Sequence, residues 1–371
     1  MRVPFFDWPR LYLERADEFR AVIETTLSGG RFILQQDVAD LERRLESLLG
    51  VKHAIAVSDG TNAMLLGFRA AGLRARGEVI LSSHSFIAAA QSIHHAGGTP
   101  VPVELGPDGM VDPSAVEAAV TARTQFVMAV QVNGRTCDMD RLRTIADREG
   151  LQIVEDAAQA LGARYKGRYA GTFGLWGIFS FYPSKTLGGF GDGGALVTDD
   201  DEIARRVRMM RNHGAGDDKV ISADVAVWGT NSRLDNMHAA ILNKKLEYYG
   251  EAIARRRAIA ARYDAAFRSM RQLSLPAAPD EGTDRFDVFQ NYEIEAEDRD
   301  HLRAYLAERG IGTIVQWGGI AVHRFRGLGF RQSLPRTDRF FERCLLLPLH
   351  HMLTDKEADY VIRQVRAFYR K

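Results

Sequence analysis

Cysteine is nearly absent: Cys137 and Cys344 are the only two in 371 residues. They form no C-x-x-C pair, so the sequence offers neither a disulfide framework nor a zinc-binding spacing, and both read as packed or incidental thiols. An excess of charge is missing as well. The formal net charge is +1, and the densest basic cluster, Arg255–Arg257, falls in a helical pattern as a solvated face, which argues against nucleic acid as a partner. There is no uninterrupted apolar run of about 18 residues, and Met1–Glu14 lacks the apolar stretch of a secretory leader. These absences predict a soluble, cytoplasmic protein with no membrane association. No internal repeat and no low-complexity segment stands out. The pair His350-His351 is not expected to hold a metal, because adjacent histidines point apart and no carboxylate spacing supports them.

What is present suits a globular enzyme. Hydrophobic residues make up 46% of the chain, enough for a large core divided into two units, expected at 1–245 (N-terminal segment included) and 246–371. Between residues 50 and 200, short β-rich runs alternate with helical stretches. The predicted strands are His53–Val57, Glu78–Ser82, Thr99–Val103, Gln125–Val130, Gln152–Glu155, Trp176–Ser180 and Ala195–Thr198, a pattern that favours an α/β fold with a mostly parallel sheet covered on both faces. Such sheets bind ligands beyond the carboxyl ends of their strands. A helical pattern from Asn236 to Met270 leads to a Pro/Ala/Gly-containing stretch at 276–283. A smaller α/β unit follows, in which Asp298 can cap a helix ending at Gly310 and Thr354-Asp-Lys-Glu357 opens the last helix as a capping box.

Chemistry concentrates around Lys185, in Phe-Ser-Phe-Tyr-Pro-Ser-Lys-Thr-Leu-Gly-Gly-Phe-Gly-Asp-Gly-Gly (179–194). A lone lysine is ordinarily a surface cation. This one lies in an apolar, Gly-rich, nearly charge-free run, which lowers the proton affinity of an amine and leaves it able to attack a carbonyl. Asp156 is expected at the end of a buried strand, where a carboxylate can keep a pyridine nitrogen protonated. Lysine and carboxylate together read as a pyridoxal phosphate site. In His53–Leu66, a strand, a turn at Asp59-Gly60 and a helix starting near Thr61 would aim free amides and the positive end of a dipole at a phosphate.

Six ordered segments extend this reading. Ser-Asp-Gly-Thr-Asn-Ala (58–63), Val-Glu-Asp-Ala-Ala-Gln-Ala-Leu-Gly-Ala (154–163), Phe-Ser-Phe-Tyr-Pro-Ser-Lys (179–185), Gly-Asp-Gly-Gly-Ala (191–195), Arg-Asn-His-Gly (211–214) and Asn-Ser-Arg-Leu-Asp (231–235) together resemble the DegT/DnrJ/EryC1/StrS family of sugar aminotransferases. The resemblance implies the aspartate aminotransferase fold (fold type I), with a seven-stranded, mostly parallel sheet in a large domain and a smaller C-terminal α/β domain. It also implies roles for individual residues. Lys185 corresponds to the Schiff-base lysine, Asp156 to the partner of the pyridine nitrogen, and Gln159 to the residue beside the cofactor's 3-oxygen. Gly60, Thr61 and Ser180 match phosphate-binding positions, and Phe86 matches the aromatic that stacks on the pyridine ring. Asn231 matches a residue that reaches the phosphate from the neighbouring subunit, implying a homodimer with shared sites.

The implied reaction moves an amino group from L-glutamate to the cofactor, giving pyridoxamine phosphate and 2-oxoglutarate. The amino group then passes to a ketone on a nucleotide-linked deoxy sugar, and Lys185 carries the proton in both halves. Gly191–Ala195 and Asn231–Asp235 look more like members that aminate C3 than C4. Three places depart from the common family pattern: Gln131-Val-Asn-Gly134 stands where relatives often have His-x-Tyr-Gly, His238 replaces a glutamine, and Gln316-Trp317-Gly318-Gly319 replaces an aromatic-proline segment ahead of Val322-His323. Gln131, Asn133, Trp317 and His323 are therefore the candidate substrate contacts. Two other activities stay open on the same scaffold. They are a cofactor-dependent sugar dehydratase, whose known members carry histidine at the lysine position, and a non-catalytic regulator, which would be expected to lose cofactor groups.

Overall fold

The computed structural model describes residues 1–215, 223, 225, 227–279 and 284–370, so residues 280–283 of the expected linker stretch lie outside it. The strands in chain order are β1 His53–Val57, β2 Glu78–Ser82, β3 Thr99–Val103, β4 Thr124–Val130, β5 Gln152–Asp156, β6 Arg164–Tyr165, β7 Arg168–Tyr169, β8 Gly177–Ser180, β9 Gly194–Thr198, β10 Leu273–Ser274, β11 Arg285–Phe286, β12 Tyr292–Ala296 and β13 Cys344–Leu347. Seven of them form one sheet in the order β1-β9-β8-β5-β4-β2-β3. Neighbours from β8 to β3 run parallel, whereas β9 runs antiparallel to both β8 and β1.

Both faces of this sheet are covered. Ile55, Val57 and Leu196 join one buried cluster, and Ala54, Ala56, Ala195 and Val197 join another on the opposite side. Side chains alternate across a strand, so a sheet buried on both faces must be apolar at nearly every position. That is why these strands read as continuous Val/Ile/Leu/Ala runs. Helices Gln36–Leu49 and Met139–Glu149 end on Gly50 and Gly150 in left-handed geometry, which the missing Cβ makes easy.

The second core gathers Tyr263, Phe267, Tyr292, Ile294, Leu302, Leu345, Leu347 and Val361 around the three-stranded sheet β10-β12-β13. The chain start joins it. Val3 pairs with Ile311, its N–H donating to Gly310 O (2.8 Å) and its carbonyl accepting from Gly312 N–H (2.8 Å). Residues beyond position 245 also contribute to the first unit's packing, including Tyr249, Ile253 and Val288. We propose a division near residue 245, with Met1–Phe6 tied to the second unit.

Two local expectations change. The pattern over Asn236–Met270 forms two helices, Asn236–Leu246 and Tyr249–Phe267, with no Gly or Pro at the break. The turn carries Tyr249 inward, where its hydroxyl donates to Leu161 O (2.8 Å) and lies 2.8 Å from Thr186 Oγ1. Asp298 stands at the N-cap of Arg299–Glu308, but with φ +57 and no side-chain bond to the helix amides; its carboxylate faces His301 Nδ1 at 3.1 Å instead. The Thr354–Glu357 capping box is present in full. No helix among the described residues is long and apolar enough to cross a membrane.

Candidate active site

A cavity of about 550 Å³ opens at the carboxyl ends of the parallel strands, lined among others by Gly60, Thr61, Phe86, Asp156, Gln159, Ser180, Lys185 and Trp317. Adjacent carboxylates on β5 meet opposite environments, because successive side chains leave a strand on opposite faces. Glu155 points away and is wholly buried, accepting from Gln131 Nε2 (2.7 Å) and from the N–H groups of Gly171 (2.8 Å), Phe173 (2.5 Å) and Gly174 (3.0 Å). Asp156 lines the cavity and is 7% exposed. Its Oδ1 accepts from Ala158 N–H at 3.1 Å. Burial raises its proton affinity, while the Ala158 amide and the Lys185 charge oppose that rise.

Lys185 sits on a turn after β8, its N–H donating to Tyr182 O (2.8 Å). Burial depresses the proton affinity of its amine, and the nearby Asp156 charge only partly restores it. The amine therefore has the nucleophilic bias anticipated from its apolar neighbours. Gln159 is oriented by Asn133, whose N–H donates to Gln159 Oε1 at 2.7 Å. Phe86 ends the loop before helix Ile87–His95 and is 52% exposed, presenting an aromatic ring to the cavity.

The opposite wall is formed by the start of a helix and the end of β8. Helix Gly60–Ala70 begins at the cavity, capped by Asp59, whose Oδ1 accepts from Asn62 N–H at 2.7 Å. The first amides of a helix have no partner within it. A Cβ added to Gly60 would stand 3.2 Å from Ser180 Cβ, so the helix start and the end of β8 pack tightly together. Ser180 Oγ accepts from Tyr182 N–H at 3.3 Å, leaving its own proton to donate toward the cavity.

The four candidate substrate contacts separate. Trp317 lines the cavity, in left-handed backbone (φ 51). Gln131 also lines the cavity, with its side-chain amide engaged inside the protein, while the side chains of Asn133 and His323 are hydrogen-bonded away from that lining. Gln131 Nε2 serves Glu155 and its Oε1 accepts from Cys137 N–H (2.7 Å). His323 is wholly buried, with Nδ1 2.7 Å from Ser83 Oγ and Nε2 2.9 Å from Asp338 Oδ1. Asn133 Nδ2 donates to Glu293 Oε2 (2.6 Å) and its Oδ1 accepts from Asn291 Nδ2 (2.8 Å). Asn231 is exposed and does not line the cavity of its own chain. Sequence reading assigned no role to Asp192, Gln290 or Asn291 on the cavity wall; Asp192 lay inside the Gly191–Ala195 motif, whereas Gln290 and Asn291, polar residues in unremarkable surroundings, gave no signal.

A lysine and a carboxylate facing one cavity at the carboxyl ends of a seven-stranded, mostly parallel sheet, with a smaller α/β unit closing the other side, are the layout of a fold type I enzyme, and the proteins this chain is similar to make its class aminotransferase. Residues 14–366 match the DegT/DnrJ/EryC1/StrS aminotransferase family, and the chain belongs to it. It is 41% identical over 371 residues to a dTDP-3-amino-3,4,6-trideoxy-alpha-D-glucose transaminase of Streptomyces venezuelae, spanning 98% of this chain and 96% of that protein. The crystal structure of S. venezuelae DesV is similar throughout, with a TM-score of 0.94 and 39% identity over 100% of this chain and 99% of that one. NtdA of Bacillus subtilis, solved with bound PMP, gives a TM-score of 0.91 at 28% identity over 100% of this chain and 86% of that one.

Proposed function

We propose that the protein is a pyridoxal-phosphate-dependent aminotransferase that transfers the amino group of L-glutamate to C3 of a nucleotide-linked 3-keto deoxy sugar. The juxtaposition of Lys185 and Asp156 in one cavity carries the cofactor assignment. The residues fit the group. Gly60 and Thr61 amides with Ser180 Oγ can hold its phosphate, Phe86 can cover one ring face, and Gln159 can meet its 3-oxygen. Bound, pyridoxal phosphate supplies an electron sink and a carrier for the amino group.

The chain's own groups do the rest. Asp156 holds a proton at the pyridine nitrogen by its charge, in a setting where few other partners compete for it. Lys185, with depressed proton affinity, would move a proton from the α-carbon of the donor to C4′ of the cofactor, and for the sugar would carry one the opposite way, from C4′ to the sugar carbon. Trp317 offers an apolar face for the sugar ring. The name of the S. venezuelae relative supports amination at C3. Asn231, exposed outside its own cavity, suits a residue that completes the phosphate site of a second subunit.

The test has two stages. Borohydride reduction of the pyridoxal phosphate-loaded protein should fix the cofactor on Lys185, and recovery on another lysine would overturn the site. The pyridoxamine phosphate form, mixed with matched 3-keto and 4-keto nucleotide sugars, should regain the pyridoxal absorbance faster with the 3-keto compound. Faster return with the 4-keto compound would reverse the choice of carbon.

A further inference from the structure

Gln159 presents two chemically different ends, a carbonyl that accepts and an NH₂ that donates. With Asn133 N–H bound to its Oε1 at 2.7 Å, the donor end is the one left for the cavity that Gln159 lines. The direction of that N–H depends on the backbone of Asn133, which has φ +59, a left-handed geometry that asparagine tolerates but that needs support.

The support comes from the second unit. Glu293 Oε2 accepts from Asn133 Nδ2 at 2.6 Å, a short, charge-assisted bond. Asn291 Nδ2 donates both to Asn133 Oδ1 (2.8 Å) and to Gln316 Oε1 (3.1 Å). Gly134 O accepts from Val288 N–H at 2.9 Å, and a Cβ on Gly134 would stand 2.7 Å from Gln290 N, so the turn is pressed against the approach to β12. Glu293 itself is fixed: it lies on β12 opposite Leu346, is 8% exposed, and has His84 Nε2 3.3 Å from the same oxygen. His84 in turn donates from Nδ1 to Gly109 O at 2.9 Å.

We propose that Glu293 is a positioning residue for the reaction: from outside the cavity and through Asn133, it holds Gln159 with its NH₂ group turned toward the cofactor's 3-oxygen. The small unit thereby sets the electronic state of a group seated on the large one. A donor at the 3-oxygen favours its ionised form, so the clamp lowers the pH at which the bound chromophore loses its proton. This rests on the cofactor assignment made above.

The experiment is a spectrophotometric pH titration of the protein loaded with pyridoxal phosphate. Glu293→Ala should raise the midpoint of the cofactor band by about half a pH unit or more. Glu293→Gln keeps an oxygen that can accept from Asn133 Nδ2 and should stay near the wild type. Asn133→Asp, which sets two carboxylates against each other, should behave like Glu293→Ala. Joined to Glu293→Gln it should recover, because the bond then forms with donor and acceptor exchanged. If Glu293→Ala does not fold, Asn133→Gly removes the same side-chain bonds at a φ that glycine accepts, and should raise the midpoint in the same way. Wild-type midpoints in every cofactor-loaded variant would overturn the clamp alone. A wild type that takes up no chromophore would instead overturn the cofactor assignment, and the clamp with it.

Discussion

Replacing Lys245 with methionine should change how stability depends on pH. Lys245 is 6% exposed. Its Nζ donates to Gly188 O at 2.6 Å and stands 4.5 Å from the ring centre of Phe190 and 5.7 Å from that of Phe19. Glu14, Arg15, Glu251, Arg255 and His351 line the same small cavity, but among the described residues none of them forms an ion pair with it. Burial pushes its amine down to about 7 from the ordinary 10.5. The unfolded chain therefore binds more protons than the folded one between those values, and stability rises with pH across that window. At about 1.4 kcal/mol for each tenfold change, the gap sets a ceiling of about 5 kcal/mol. The charge-assisted bond to Gly188 O and the aromatic faces favour the ammonium and offset part of it, leaving about 2 kcal/mol. Methionine keeps the chain length and packing but does not titrate. Urea unfolding of the cofactor-free protein should show the stability of wild type relative to Lys245→Met rising by about 2 kcal/mol from about pH 6.5 to about pH 10, superimposed on a pH-independent cost to the variant because Gly188 O loses its donor. Comparing the two proteins cancels the contribution of Lys185, which titrates in both. Parallel stability curves would refute the reasoning.

Asp156→Asn keeps the shape but removes the charge at the ring nitrogen; turnover should fall by about two orders of magnitude or more while cofactor absorbance persists, as single-turnover kinetics would show. Arg256→Met should cost about 3–5 kcal/mol in urea unfolding, because its buried guanidinium donates to the carbonyls of Phe289 (3.2 Å), Gln290 (3.0 Å) and Leu349 (3.0 Å) and all three lose their donor. Mixing Lys185→Ala with Asn231→Ala should, after verified subunit exchange, restore activity in a fraction of hybrid dimers; none restored would mean the sites are not shared.

Most of the seven strands were legible because they are buried on two faces, so apolar runs such as Ile55–Val57 and Val79–Leu81 mark them directly; the edge strand β3 is partly exposed. Their order was not. That β9 runs antiparallel between β1 and β8 depends on pairings such as Ile55 with Leu196, remote in sequence and invisible to local pattern. The break at Glu247–Tyr248 was hidden for another reason: it answers to where the Tyr249 hydroxyl finds partners, not to a helix breaker. Around the site, Lys185 stood out because its neighbours are apolar. The hydrogen bonds that engage Gln131 and His323 inside the protein were not legible, because a polar side chain turned into the protein looks, in sequence, like one turned toward a ligand. The clamp on Asn133 could not be seen at all, since Asn291 and Glu293 lie far along the chain from it.

The pairing of Val3 with Ile311 bears on the order in which the molecule can be made. The second core needs Val3, Ile259, Leu345 and Val365 together, so a ribosome must deliver nearly the entire chain before that core can close, whereas every strand of the seven-stranded sheet has emerged by Thr198. During synthesis the large sheet can assemble while Val3 waits, unpaired, for Ile311, which is still more than a hundred codons away. The active cavity, walled on one side by Gln316 and Leu346, is therefore among the last features to be completed.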